Sequence, residues 1–201
     1  LKKYFALGGV VFVLAAFALS LPRGVLASEA GLFLSPASGS LVVGSTFDVS
    51  VILDTKGNAI NTLEVELLFP HDVLQIANPS VGRSLVQIWL TPPIFSNQEG
   101  SVYFVGGIPS PGLTISQGIV LTVTFRVIGQ GEGIIRFGDK TSVLANDGQG
   151  TDILGQKGSA SFRASVAAPQ GPAISSPTHQ DQERWYRDPN PVFSWAKDEG
   201  V

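Results

Sequence analysis

The sequence predicts an all-β domain of two stacked sheets, and three features carry that expectation. Apolar and polar residues alternate with a period of two in several runs between Gly31 and Val166, the pattern of strands with one buried and one wet face. The runs are separated by DTKGN, SNQEG, PSPG, GQGEG and NDGQG, whose Gly, Pro, Asn and Asp supply the backbone conformations of tight turns. No stretch of this zone carries apolar residues at helical spacing. About nine or ten short strands in roughly 135 residues amount to a two-sheet sandwich.

Taken in order, the chain opens on LKKYFALGGVVFVLAAFALSLPRGVLASEA. Lys2 and Lys3 precede an uncharged run from Tyr4 to Pro22, and Val25-Leu26-Ala27 offers a cleavage-like site. This is the layout of a secretory signal over 1–27, with an uncleaved membrane-anchor helix as the alternative. Either reading exports the rest, so an extracellular or cell-surface location is expected. The domain occupies 31–166. Its first strand is expected at 31–34, and STFDVSVILD follows with Phe47, Val49, Val51 and Leu53 on one face. In TLEVELLF, Leu63, Val65, Leu67 and Phe69 oppose Thr62, Glu64 and Glu66. Pro70 ends that strand because it has no N–H to continue a ladder. Strands are expected next at 73–77, 86–90 and 101–106. In GIVLTVTFRV, Ile119, Leu121, Val123, Phe125 and Val127 line one side, with Thr122, Thr124 and Arg126 behind. Strands at 133–137, 142–145 and 159–166 complete the domain.

Residues 167–177 have the Pro, Gly, Ala and Ser content of a linker. From 178 to 201 the composition changes: Trp185, Tyr186, Phe193 and Trp195 fall within eleven residues. Such aromatic density needs a core, and this segment is too short to close one of its own. THQDQERWYRDPNPVFSW resembles the opening of Ig-like modules of bacterial surface proteins, which implies an incomplete second module.

The composition excludes several kinds of chemistry. With no cysteine there is neither a disulfide framework nor a thiolate metal site. His71 and His179 lie about a hundred residues apart, which argues against zinc. Thirteen Lys plus Arg against sixteen Asp plus Glu, with no basic cluster, argue against nucleic acid. His71-Asp72 follows a strand, but no nucleophile elbow or oxyanion hole accompanies it, so it reads as a turn. Glu64 and Glu66 share one strand face roughly 7 Å apart. Glycosidase carboxylates at such spacing usually face each other across a cleft, from different elements. On an open sheet the two glutamates read instead as a solvated or partner-binding surface. Asn146, Asp147 and Asp152 in NDGQGTD have the residue types of a calcium loop, although acidic glycine turns are also ordinary hairpin ends. No catalytic residue, metal or cofactor is therefore expected.

The order of motifs resembles the cohesin family. VVGSTFDVSVIL is similar to the opening of a cohesin, and NAINTLEVELLFPHDVLQI resembles its next long strand and turn. NQEGSVYFVGG, GIVLTVTFRVIGQGEGIIRF and GSASF follow in the family's order, over about 130 residues. The resemblance implies a nine-stranded jelly roll without catalytic residues that binds dockerin modules, through outward residues of the family's third, fifth and sixth strands. Carried over, these are Thr62, Glu64 and Glu66, Trp89, and Ser101 and Tyr103, with Ile108 and Leu113 in the following loop. Trp89 and Tyr103 also feed two alternatives: direct polysaccharide binding through exposed rings, or a structural spacer in a surface protein, with core burial equally open for Trp89.

Overall fold

A computed structural model describes residues 29–80, 82–168, 171, 174–181 and 183–195. The expected signal segment at 1–27 lies outside the described residues. Twelve strands build the domain: β1 (Ala30–Ser35), β2 (Ser38–Val42), β3 (Thr46–Asp54), β4 (Ile60–Leu68), β5 (Leu74–Ser80), β6 (Ile88–Ser96), β7 (Ser101–Gly107), β8 (Gly118–Val127), β9 (Gly131–Phe137), β10 (Ser142–Ala145), β11 (Leu154–Lys157) and β12 (Ser159–Ser165). The first sheet runs β11-β1-β3-β8-β5, and the second runs β2-β12-β9-β4-β7-β6, with β10 paired to β4.

The core forms where the inward rows of both sheets meet. Val49, Val51 and Leu53 of β3 and Leu63, Val65 and Leu67 of β4 all point into the sandwich interior and are essentially inaccessible to water. Aromatic rings tie the sheets together at one end. Phe47 of β3 stacks on Phe125 of β8 at 5.7 Å and meets Phe162 of β12 at a tilt at 4.7 Å, while Phe69 meets Phe125 edge-on at 5.3 Å. The buried Thr55 hydroxyl is satisfied by the Ile115 backbone, donating to its carbonyl and accepting from its N–H.

The expected alternation breaks in β8. Val51 pairs with Leu121, but Ile52 pairs with Ile119, so a bulge leaves Val120 as the extra residue. Val120 and Leu121 are both fully buried, and Ile119 is displaced from the inner row that the sequence assigned to it. Two strands were not expected. Both β2 and β11 pair in parallel, with β12 and β1 respectively. Their short, exposed segments carry no apolar row to mark them. Beyond the sandwich, β13 (Ile174–Ser175) and β14 (Ser194–Trp195) form a two-residue ladder. Its connecting segment is organised by His179, whose ring meets Tyr186 at 4.5 Å, while Trp185 is 98% exposed.

Candidate functional site

The outer face of the second sheet follows from the alternation of β4 and β7. Because Leu63, Val65 and Leu67 go inward, Thr62, Glu64 and Glu66 come out half-buried. Likewise Val102 and Phe104 go inward, while Ser101, Tyr103 and Val105 come out. The antiparallel register sets Glu66 opposite Tyr103, Glu64 opposite Val105, Leu68 opposite Ser101 and Thr62 opposite Gly107. Tyr103 thus lies diagonally from Glu64, within reach of a long side chain. Its hydroxyl donates to Glu64 Oε1 at 2.7 Å. That bond, followed by desolvation and by the charges of Glu64 and Glu66, raises the Tyr103 pKa above the ordinary phenol value.

Glu66 has a more specific setting. Along one edge of β4, β10 covers positions 60 to 64 and β9 covers 67 and 68. The turn from Gly138 to Thr141 fills the gap between them. There the Gly138 N–H donates to the Glu66 carbonyl at 2.8 Å. The buried Thr141 hydroxyl accepts from the Glu66 N–H and donates to the Glu66 carbonyl, both at 3.2 Å. This turn carries Lys140 over the strand, with Nζ 3.0 Å from Glu66 Oε1 and 5.6 Å from the centre of the Tyr103 ring. The Glu66 side chain lies flat against Gly138: a Cβ there would stand 2.7 Å from its Cδ and 2.8 Å from its Cγ.

Beside this cluster, β6 forms the edge of the sheet. Ile94 pairs with Tyr103, and two irregularities around Thr91 absorb Leu90, Pro92 and Pro93. Ile88, Leu90, Ile94 and Phe95 are left substantially exposed. A depression of about 400 Å³ opens between Tyr103, Ile94, Phe95, Glu99 and Lys140. The face therefore joins an apolar edge to a carboxylate-rich centre. Apolar anchors beside charged groups suit recognition of another protein surface.

Three of the eight expected partner residues do not reach this face. Trp89 pairs opposite Gly106 and meets the buried Phe104 edge-on at 5.7 Å, packing on the core. Ile108 is buried, its N–H donating to the Asn61 carbonyl at 2.7 Å. Leu113 packs against the core and exchanges both backbone bonds with Ile60, at 2.9 and 3.0 Å. Thr62, Glu64, Glu66, Ser101 and Tyr103 do share the outer face. Sequence reasoning missed Lys140, Ile94, Phe95 and Glu99. The first sits in a Gly-Asp-Lys turn with no distinguishing pattern, and the next two lie in a strand whose extent was hidden by Pro92 and Pro93.

The other chemical candidates resolve into turns. His71 is exposed, and its turn is closed by the Pro70 carbonyl accepting from the N–H of Val73 and Leu74. Asp147 accepts from the N–H of Gln149 and Gly150 and from the Thr151 hydroxyl. These bonds, the Thr151 hydroxyl foremost, hold its carboxyl below the ordinary pKa. Asp152 accepts from the N–H of Val143 and Leu154. Both carboxylates are engaged in fixing the loop, and among the described residues no group of three or more His, Asp or Glu side chains comes together as a metal site would require.

No protein-family model matches the chain, and no curated protein matches it. Solved structures do. The third cohesin of ScaC from Acetivibrio cellulolyticus, solved in complex with the ScaB dockerin, is 16% identical with a TM-score of 0.54, over 69% of this chain and 99% of that one. A cohesin from Clostridium thermocellum, solved as the Coh-OlpC-Doc435 complex, is 12% identical with a TM-score of 0.55, over 68% and 95%. A non-cellulosomal cohesin from the archaeon Archaeoglobus fulgidus is 19% identical with a TM-score of 0.52, over 69% and 92%. The described sandwich has the cohesin fold, a two-sheet jelly roll, and the covered share matches its extent.

Proposed function

We propose that the sandwich is a non-catalytic recognition module that captures a dockerin-type module of another protein through the outer face of β4, β7 and β6. The observation that carries this reading is the composition of that face. Glu64, Glu66 and Tyr103 form a connected polar centre, and the exposed Ile88, Leu90 and Ile94 form an apolar border along the sheet edge. Apolar residues on an edge strand invite strand addition, but Pro92 and Pro93 lack the N–H groups that an added strand needs. Contact through side chains is the mode left to this edge. Support comes also from the cohesin fold: the similar cohesins of Clostridium thermocellum and Acetivibrio cellulolyticus were solved holding a dockerin. The polysaccharide alternative relied on Trp89 as a second exposed ring, and Trp89 packs on the core.

The arrangement of the chain belongs to the same proposal: an exported protein with its leader or anchor at 1–27, the sandwich at 31–166, a linker at 167–177, and an Ig-like second unit from 178. The exposed Trp185, Phe193 and Trp195 support that second unit, since large rings gain most by packing. The test is calorimetric titration of the purified chain with a panel of purified dockerin modules, beside a Glu64→Arg/Ile94→Asp variant. Saturable binding by the native chain and its loss in the folded variant are expected. Equal binding by both would place the contact elsewhere, and binding to no dockerin would remove the reading.

A further inference from the structure

We propose that Glu66 and Tyr103 form a seat for a partner's ammonium or guanidinium group, which Lys140 occupies while the partner is away. Its biological occupant, a lysine or arginine side chain of the docking module, rests on the function proposed above; the seat itself does not.

The geometry of Lys140 identifies the ligand chemistry. Its Nζ lies 3.0 Å from Glu66 Oε1 and 5.6 Å from the Tyr103 ring centre, so a cation already meets a carboxylate and an aromatic face together. The two partners of the ion pair differ in exposure: the Lys140 side chain is 65% accessible and that of Glu66 only 16%. The carboxylate is therefore largely withdrawn from water, while the ammonium sits on an exposed, flexible four-carbon stem that can leave. Rigidity on the acidic side has three sources. Thr141 and Gly138 bind the Glu66 backbone, the Glu66 side chain rests on Gly138, and Tyr103 is held in turn by Glu64. Lys157 does not compete for the seat, because its Nζ donates to the Gly138 carbonyl at 3.2 Å. The depression beside Tyr103 gives an incoming side chain its approach.

An exposed ion pair is weak, so Lys140 is an inexpensive occupant to displace. A withdrawn carboxylate without any cation is costly, so removal of Lys140 favours an external one. Lys140 would then act on specificity: it weakens every cationic partner by the same modest factor, and it disfavours neutral side chains that cannot replace the charge.

The seat is tested without a dockerin, by titrating N-acetyl-arginine-amide into the full chain and following the backbone amide resonances of positions 64–66, 103 and 138–141. In Lys140→Gln, the probe should bind on the order of two- to fivefold more tightly than in the native chain. In the Lys140→Gln/Glu66→Gln double variant that gain should vanish, while the amide spectrum stays that of a folded protein. Equal affinity in the native chain and Lys140→Gln, or a gain that survives Glu66→Gln, would overturn the seat. Should Glu66→Gln perturb the fold, Tyr103→Leu in the Lys140→Gln background replaces it and should also reduce the gain. Dockerin titrations separate the two claims. A probe result as expected with no dockerin bound removes the docking reading and leaves the seat. A dockerin bound more weakly by Lys140→Gln than by the native chain makes Lys140 a contact residue and overturns its role as stand-in.

Discussion

Replacing Gly138 by alanine should disable the recognition face while leaving the sandwich folded. The added methyl would stand 2.7 Å from Glu66 Cδ and 2.8 Å from Glu66 Cγ, well inside contact distance. The three nearest atoms all belong to the Glu66 side chain, so the carboxylate must swing away. That movement breaks the pair with Lys140, in which the cation is 65% exposed, a loss of at most about 1 kcal/mol. A strained Glu66 rotamer adds about 0.5–1.5 kcal/mol. The sum, about 0.5–2.5 kcal/mol, corresponds to a fall in Tm of roughly 2–10 °C for a domain of this size. Binding should suffer more, because the displaced carboxylate no longer meets the partner's cation: about tenfold or greater loss is expected for a dockerin that the native chain captures. Differential scanning calorimetry and titration calorimetry on the same preparation separate the two effects. Native affinity in a variant whose Tm has fallen as expected would refute the reasoning, since Glu66 would then have moved without consequence.

Three further outcomes follow from the fold and its turns. Phe162→Ala removes a fully buried ring that meets Phe47 at 4.7 Å across the sheets, and urea unfolding should show a loss of about 3–5 kcal/mol. A loss under about 1 kcal/mol would mean that this end of the sandwich is not close-packed. Asp147→Ala removes the acceptor of the turn after β10. Because the folded state holds that carboxyl below its ordinary pKa, its contribution is present above the unfolded value and is lost as pH falls through the depressed one. The stability gap between native chain and Asp147→Ala should therefore close on acidification; a gap unchanged down to pH 2 would contradict this. Leu90→Asp with Ile94→Asp, both on the exposed edge, should change stability by less than about 0.5 kcal/mol at each position while weakening dockerin capture. A collapse in Tm would show that the edge is part of the core.

The sandwich was legible because its long strands β3, β4 and β7 alternate strictly, and each such run leaves one choice of inner face. That choice delivered Glu64, Glu66 and Tyr103 to the outer face correctly. Trp89, Ile108 and Leu113 were harder, because a family's binding positions were carried over where no local alternation fixed the side-chain direction. Trp89 is drawn inward against Phe104 of the neighbouring strand, a relation across strands that a period along one strand cannot express. The bulge at Val120 belongs to the same class, since both of its residues are apolar and either phase of the alternation reads equally well. Lys140 escaped notice because its place over Glu66 is set by the interruption between β9 and β10, which is a property of the assembled sheet. Strands β2 and β11 pair in parallel through exposed, polar segments, so only their neighbours reveal them.

Hydrogen-exchange footprinting of the chain with a captured dockerin tests the central claim most directly. Protection should appear over 62–66, 88–96 and 101–105, together with the Gly138–Thr141 turn, and β3 and β8 should exchange as in the free protein. Protection confined to the first sheet or to the 174–195 segment, with β4, β6 and β7 unchanged, would contradict the account.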